Sequence, residues 1–167
     1  MIFSNYTAQD WYWIVAGDDT KVYASQRVGY FPVADATYAA WLDAGNLPTR
    51  IINSQELLDV LMQQWVPSYL ATGMQVVSTG TPSLNDTYPM DQTSQNQITG
   101  IATSIAAGRG LPGGGSTFFY QGHQFNEASF LNFADAASNF VYGSYHSLGL
   151  IVMTGSGSMP AQPVTIP

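Results

Sequence analysis

The side chains with the greatest capacity for acid–base or metal chemistry in this sequence are two histidines and eleven carboxylates. His123 stands beside a predicted hairpin turn, and His146 follows the predicted last helix. Neither has a second histidine at i+3 or i+4, the spacing that places two metal ligands on one face of a helix. A Ser-His-Asp arrangement stays open, because its members need not be neighbours in sequence, but no G-x-S-x-G motif is present to supply the nucleophile. We therefore predict no metal site and interpret His123 as a turn or cross-strand residue.

Glycines and carboxylates are the other candidates for chemistry. Residues 108–113 match G-x-G-x-x-G by letters, but a dinucleotide site follows a strand and opens a helix, whereas this loop follows a predicted helix and precedes a strand. Ser116 stands where a phosphate-binding loop needs lysine. Asp35, Glu56 and Asp91 are interpreted as helix-capping residues, and the remaining carboxylates form no pair that suits a glycosidase. The sequence thus predicts no catalytic residue, no cofactor and no enzyme activity.

Aromatic residues are the remaining candidates for binding a ligand or a partner, with 4 Trp and 10 Tyr in the chain. Aromatic rings beside Asn, Gln and Asp side chains suit sugar binding, so a carbohydrate-binding module stays an alternative function. Most of these rings follow strand and helix periodicities, which indicates core positions, and tyrosines outside the core suit protein interfaces.

The first predicted module spans 1–66 and has the element order ββ-α-β-α. Residues 10–16 are aromatic and β-branched on both alternating faces, which predicts a strand covered on two sides, and the next segment returns as its hairpin partner. A short helix and a short strand follow. Asn53 and Glu56 then have the spacing of a capping box at the start of a second helix, which we expect to end before Pro67.

The second predicted module spans 75–154 and has a helix, a hairpin and another helix. The hairpin turns at 121–122, and Asn126 caps the longest helix, which we expect to reach about Tyr145. Residues 155–167 are rich in Gly, Ser and Pro and are predicted to form an extended tail. The predicted fold class is α+β, with two small modules, each a short antiparallel sheet with packed helices.

The composition excludes several classes of partner. Four Lys and Arg against eleven Asp and Glu give a net charge of −7, which leaves no basic surface for nucleic acid or an anionic membrane. There is no cysteine, no apolar run long enough to span a membrane and no secretory signal pattern, so we expect a soluble protein made in a cytoplasm. Charged residues make up 9% of the chain, against about 25% in an average protein. We attribute this low charge to surface that other subunits cover.

A series of short motifs between residues 78 and 133 resembles a small domain at the C-terminal end of bacteriophage and prophage tail-region proteins. The motifs are Ser78 to Asp91 (STGTPSLNDTYPMD), Ala107 to Gly114 (AGRGLPGG), Thr117-Phe118, His123-Gln124-Phe125 and Phe130. The closing segment Pro160–Pro167 fits the same pattern, and the N-terminal part is more loosely similar to short head segments of tail-fibre-region proteins. The resemblance implies a structural role in the virion, after synthesis in the cytoplasm of a host bacterium, and supplies no catalytic residue.

The expected mode of action is contact with other virion or tail proteins, in several symmetric copies of the chain. Val164, Thr165 and Ile166 are the candidate residues for adding a strand to a neighbouring subunit, and Tyr142 and Tyr145 are candidate contact residues on the last helix. A tail-fibre assembly chaperone that leaves the finished particle is the first alternative, and the carbohydrate-binding module is the second.

Overall fold

A computed structural model describes residues 8–167, and it confirms the α+β class, with helices packed on small sheets. The contacts divide the described chain into two units. The first unit contains residues 8–68 and 144–159, and the second contains 69–143 and 160–167. Each unit is therefore built from two separate stretches of the chain.

The first unit contains a four-stranded sheet in the order β3-β2-β1-β4. Its strands are β1 (Tyr12–Val15), β2 (Lys21–Ala24), β3 (Gly29–Pro32) and β4 (Thr49–Ile51). The strands β1 and β2 form the predicted hairpin, with Trp13 opposite Tyr23, and β3 adds a further antiparallel strand that the predicted element order lacked. The fourth strand is parallel to β1, because helix α1 (Ala36–Asp43) returns the chain to the start of the sheet.

One face of this sheet is covered by α1. Tyr12 and Ile14 of β1 form a buried cluster with Tyr38 of α1, and Trp41 packs against the same cluster. Asp35 caps α1 as predicted, since its Oδ1 accepts the Tyr38 N–H at 3.0 Å. The cap therefore fixes the start of the helix that closes this part of the core.

A helical stretch with a π turn continues past the predicted end at Pro67. It consists of α2 (Ser54–Val60), a π turn (Leu61–Trp65) and α3 (Val66–Thr72). In the π turn the Val66 N–H donates to the Leu61 carbonyl, five residues back. This shift in bonding places Pro67 in the first turn after the π turn, where a missing N–H is tolerated, so our expected helix end was wrong.

The second unit contains two small sheets, one complete long helix and the first part of another. Its strands are β5 (Met74–Ser78), β6 (Asp86–Tyr88), β7 (Phe118–Tyr120), β8 (His123–Phe125) and β9 (Val164–Ile166). One sheet has the order β6-β5-β9, and β7 pairs with β8 as the predicted hairpin. The helices are α4 (Gln92–Ala106) and α5 (Glu127–Thr154).

Aromatic rings form the centre of the second unit. Phe125 and Phe130 are fully buried, with their ring centroids 5.5 Å apart, and Phe133 lies 4.7 Å from the ring of Tyr88. The edge-to-face and tilted geometries are those that aromatic pairs prefer. This cluster holds the β7–β8 hairpin against α5.

Helix α5 is longer than the sequence indicated, and it changes the organisation of the chain. It runs to Thr154 rather than to about Tyr145, and its residues from 144 onward belong to the first unit. The observed units therefore differ from the contiguous modules 1–66 and 75–154. The predicted tail, 155–167, contributes strand β9 to the second unit.

Candidate interaction surface

The candidate contact residues Val164, Thr165 and Ile166 pair within their own chain. They form β9, which lies parallel to β5 with Val76 opposite Val164. Ile166 is 2% exposed, and its carbonyl accepts the Thr79 N–H at 2.9 Å. The strand that we expected to join a neighbouring subunit thus completes a sheet of the second unit.

The outer edge of β9 offers little to a further strand. Because backbone direction alternates along a strand, Val164 and Ile166 direct their N–H and C=O toward β5, and Thr165 directs its own outward. The neighbouring outward positions are Pro163 and Pro167, which have no N–H. Prolines on an edge strand limit further pairing, so this edge is protected.

A groove of about 430 Å³ lies between α5 and β9 in the second unit. Asn132, Asp135 and Asn139 of α5 line one side at i, i+3 and i+7, and Thr165 with Pro160 lines the other. These groups provide hydrogen-bond donors and acceptors together with one carboxylate. The groove therefore suits an uncharged polar ligand better than an anion. Its size falls within the range of small-molecule sites, about 300–1,000 Å³.

The two candidate tyrosines are exposed on α5. Tyr142 is 71% exposed and belongs to the second unit, whereas Tyr145 is 38% exposed and belongs to the first. Leu150 and Met153 are also exposed further along α5. The helix thus presents apolar side chains to solvent beyond the two tyrosines named from the sequence.

The distribution of charge is a feature that our sequence reasoning missed. Residues 136–167 contain no Asp, Glu, Lys or Arg, so the side chains of these 32 residues carry no formal charge. The fraction of charged residues in the whole chain is an average, so it does not reveal this long neutral segment. Counting charges in a sliding window along the sequence would have found it.

Three of the four cationic side chains are held in ion pairs. Arg27 makes two hydrogen bonds to the Asp35 carboxylate, at 2.6 and 3.0 Å, and stacks on the Phe31 ring at 3.7 Å. The two hydrogen bonds to Asp35 are the main cause that raises the pKa of Arg27. Arg50 pairs with Asp19 at 2.8 Å, and Lys21 pairs with Asp18 at 3.4 Å. In the described chain, the cation outside these pairs is the exposed Arg109.

His123 is held by acceptors at both ring nitrogens. Its Nδ1 lies 2.7 Å from the Ser83 carbonyl oxygen, and its Nε2 lies 2.8 Å from Asp86 Oδ2. Donation to the Ser83 carbonyl and then to the Asp86 carboxylate raises the pKa of His123. The Thr87 N–H and then His123 lower the pKa of Asp86. Both partners are acceptor oxygens, so this geometry favours the imidazolium, which donates from both nitrogens.

The contacts of His123 decide whether it can act as a general base. Ser83 contributes its carbonyl oxygen, so Ser83, His123 and Asp86 do not form the nucleophile–base–acid arrangement that the sequence left open. A ring with both nitrogens engaged in this way has no lone pair ready to accept a proton. The contacts instead join the β7–β8 hairpin to Asp86, the first residue of β6, and to Ser83 just before that strand. His123 thus acts as a structural cross-link, and it lies in β8 opposite Tyr120, as its interpretation as a turn or cross-strand residue allows.

The glycine-rich loop at 108–113 directly follows helix α4, and its first residue forms the end cap of that helix. Gly108 has a φ of +71°, and its N–H donates to the Ile105 carbonyl. The Arg109 N–H donates to the Ser104 carbonyl at 3.0 Å, which completes a Schellman motif. The termination of α4 thus accounts for Gly108, and Gly110 and Gly113 follow in the loop with positive φ of +73° and +83°.

Across residues 8–167, no group of three or more His, Cys, Asp or Glu side chains is arranged to hold a metal ion. Within the same range, no helix has the length and apolar character needed to cross a membrane. Comparisons with protein-family models, curated proteins and solved structures find no match to this chain. The phage-tail resemblance therefore stays a prediction from the sequence motifs.

Proposed function

We propose that the protein is a structural component of a bacteriophage particle, associated with the tail or tail fibre, and that it acts by contact with other proteins. The observation that carries this proposal is the charge-free segment 136–167, in which Tyr142, Tyr145, Leu150 and Met153 are exposed. Neutral and apolar surface is favourable to cover, because no ion has to be removed from water.

The rest of the surface supports the same mode of action. The ion pairs of Lys21, Arg27 and Arg50 leave little positive charge for binding phosphates or acidic lipids. Apolar side chains such as Leu47, 77% exposed, lie elsewhere on the surface. The phage assignment itself rests on the resemblance of residues 78–133 and Pro160–Pro167 to the tail-region domain. The expected partners are other virion proteins and further copies of this chain.

Purified particles test this proposal. Particles from a culture that carries the encoding phage or prophage are banded by density, and peptides of this chain are counted by quantitative mass spectrometry against a major tail protein. We expect a fixed number of copies per particle. Peptides in the lysate but none in banded particles would instead identify an assembly chaperone.

A carbohydrate-binding module is the second candidate function, and the groove between α5 and β9 favours it. Asn132, Asp135 and Asn139 offer the amide and carboxylate groups that bind vicinal hydroxyls. Titration with a panel of neutral oligosaccharides, followed by amide NMR shifts, tests this function. Binding at the groove that Asp135→Asn weakens and that Asp43→Asn, an exposed control in the first unit, leaves unchanged would support it.

A further inference from the structure

The outer edge of β7 is open to a further strand. Both residues of the turn at 121–122 have a positive φ, +51° and +83°, which is the conformation of a type I′ turn. In such a hairpin the flanking residues Tyr120 and His123 exchange backbone hydrogen bonds. Because backbone direction alternates along a strand, Thr117 and Phe119 direct their N–H and C=O away from β8. Within residues 8–167, no backbone hydrogen bond engages these outward groups.

The two edges of the sheet in the first unit are blocked. On β3 the outward positions include Pro32, which has no N–H to donate. On β4 the outward positions include Pro48, and the next outward N–H, that of Ile52, already donates to Glu56 Oε2 at 2.8 Å. Prolines and engaged donors of this kind prevent a further strand from pairing.

The remaining edges of the second unit are blocked as well. The outward N–H of β6 belongs to Thr87 and donates to Asp86 Oδ1 at 2.7 Å, and Pro89 follows it. The segment 83–86 is held beside β8 by the two contacts of His123. The prolines that flank β9 protect its edge, as described above. Among the strands that the structure describes, β7 therefore has the one edge without such protection.

The surroundings of this edge indicate the chemistry of a strand that fits it. Phe119 is 72% exposed on the outer face, opposite Gln124. Phe118 is half-buried on the inner face, with its ring centroid 5.1 Å from that of Phe130. Residues 110–126 contain no Asp, Glu, Lys or Arg. An added strand thus meets an aromatic ring on each face and no charged side chain from this segment, which favours uncharged residues with apolar side chains.

A second copy of the chain is a poor source of this strand. Since its other edges are blocked, a second copy can offer only its own β7, whose open part extends from Thr117 to Phe119. Two edges of this length bury far less than the roughly 1,200 Å² of a specific contact between folded proteins. The two copies would also bring together surfaces with a net charge of −7 each. A flexible segment of another protein is free of both restrictions.

We infer that the outer edge of β7 accepts an extended, uncharged segment of another virion protein, which becomes the third strand of the β7–β8 sheet. The outward N–H and C=O groups of Thr117 and Phe119 bind its backbone, and the rings of Phe118 and Phe119 contact its side chains. This inference rests on the proposed contact function and identifies the kind of partner. Because few hydrogen bonds hold the segment, we expect weak binding that the high local concentration within a particle strengthens.

Photo-crosslinking in assembled particles tests the inference. The encoding phage or prophage is altered so that p-benzoylphenylalanine replaces Phe119, and banded particles are irradiated and analysed by mass spectrometry. We expect residue 119 to cross-link to one segment of another virion protein, and we expect that segment to lack charged residues. The same probe in place of Ile52, which is 79% exposed in the first unit, is the control and should not capture that segment.

A matched pair of variants shows whether the backbone of β7 makes the contact. Thr117→Pro and Thr117→Val both remove the hydroxyl that accepts from Gln124 Nε2 at 3.0 Å, but only proline also removes the outward N–H. In the chain with the probe at 119, Thr117→Pro should lower the cross-link yield at least about tenfold, and Thr117→Val less than about twofold. Because the Thr117 N–H is not bonded to β8, the two variants should have similar melting temperatures.

Three results would overturn the inference. One is the absence of a cross-link from residue 119 in particles that contain the chain at a fixed copy number, which would leave the proposed function in place. The second is a cross-link to another copy of this chain. The third is an equal yield in Thr117→Pro and Thr117→Val, because strand addition requires the N–H. Absence of the chain from banded particles would instead remove the proposed function, and this inference with it.

Discussion

His123 Nε2 and Asp86 Oδ2 lie 2.8 Å apart, although 37 residues separate them in the chain. The second ring nitrogen is bonded to the Ser83 carbonyl, so the ring connects the β7–β8 hairpin to Ser83 and to Asp86, the first residue of β6. The ring of Tyr88 also lies close to His123, at 5.3 Å between ring centroids. The second unit is thus joined by a contact whose strength depends on pH.

The stability of the chain should fall as the pH rises through the folded-state pKa of His123. Because the folded-state pKa of His123 is raised above its ordinary 6.5, its contribution is complete below about pH 6.5 and is lost as the pH rises through the folded-state pKa. Asp86 acts in the opposite direction, since its pKa is lowered below 3.8 and its contribution is lost in acid. Melting temperatures of the wild type and His123→Gln, compared from pH 5 to 9, should converge as the pH rises.

The pKa of His123 itself, measured by NMR titration, tests the assigned partners. Asp86→Asn should lower this pKa because it removes the carboxylate acceptor. Ser83→Ala is the control, since the contact uses the backbone carbonyl, which alanine keeps. A large change of the pKa in Ser83→Ala would contradict the contact as described.

Removing the hydroxyl of Tyr23 should stabilise the protein. Tyr23 is fully buried, and among the described residues its hydroxyl has no hydrogen-bond partner. Burial raises the pKa of this hydroxyl well above its ordinary 10.0, with the neighbouring Tyr30 adding to the effect. We expect Tyr23→Phe to raise the free energy of unfolding by about 1 kcal/mol in urea titrations.

Tyr88→Phe provides the comparison for that variant, because the Tyr88 hydroxyl donates to the Leu84 carbonyl at 2.8 Å. Its loss should lower the free energy of unfolding by about 1 kcal/mol. Destabilisation of similar size in both variants would show that Tyr23 has a partner after all.

The segment 160–167 should be needed for the stability of the second unit. Ile166→Ala removes a side chain that is 2% exposed, and we expect a loss of about 2–5 kcal/mol in the free energy of unfolding. Thr165→Ala, on the exposed side of the same strand, should change it by less than about 0.5 kcal/mol. Equal effects of the two substitutions would mean that β9 contributes no core packing.

The contribution of the N-cap of α2 to the free energy of unfolding should also be measurable. The Asn53 side chain accepts the Glu56 N–H at 2.9 Å, and Glu56 Oε2 accepts the Ile52 N–H at 2.8 Å. Asn53→Ala should cost about 1 kcal/mol in the free energy of unfolding, because it leaves the Glu56 N–H without its acceptor. Asn53→Ser keeps a capping oxygen and should remain close to the wild type.

Local signals in the sequence predicted much of the secondary structure. Asp35, Asn53, Asp91 and Asn126 cap helices as expected, because a capping bond joins residues about three apart and is written in short motifs. The β7–β8 hairpin was predicted for the same reason, since its turn occupies two residues. The α+β class followed from these elements.

Contacts between distant residues were not predicted. The parallel pairs β1–β4 and β5–β9 join residues about 36 and 88 positions apart, and no local motif encodes such a pairing. The cross-link of His123 to Asp86 and Ser83 depends on the same tertiary arrangement. The π turn before Pro67 was missed because the proline rule that we applied assumes regular α-helical bonding.

The pairing of Ser78 with Ile166 has a consequence for synthesis of the chain. A ribosome that has completed β5 must add 88 more residues before the third strand of that sheet exists, and at 5–20 residues per second this takes roughly 4–18 s. During this interval β5 has an exposed edge that other chains can reach. Translation speed and the binding of chaperones to nascent chains should therefore affect the yield of correctly folded protein more through the second unit than through the β1–β4 sheet, which is complete by Ile51.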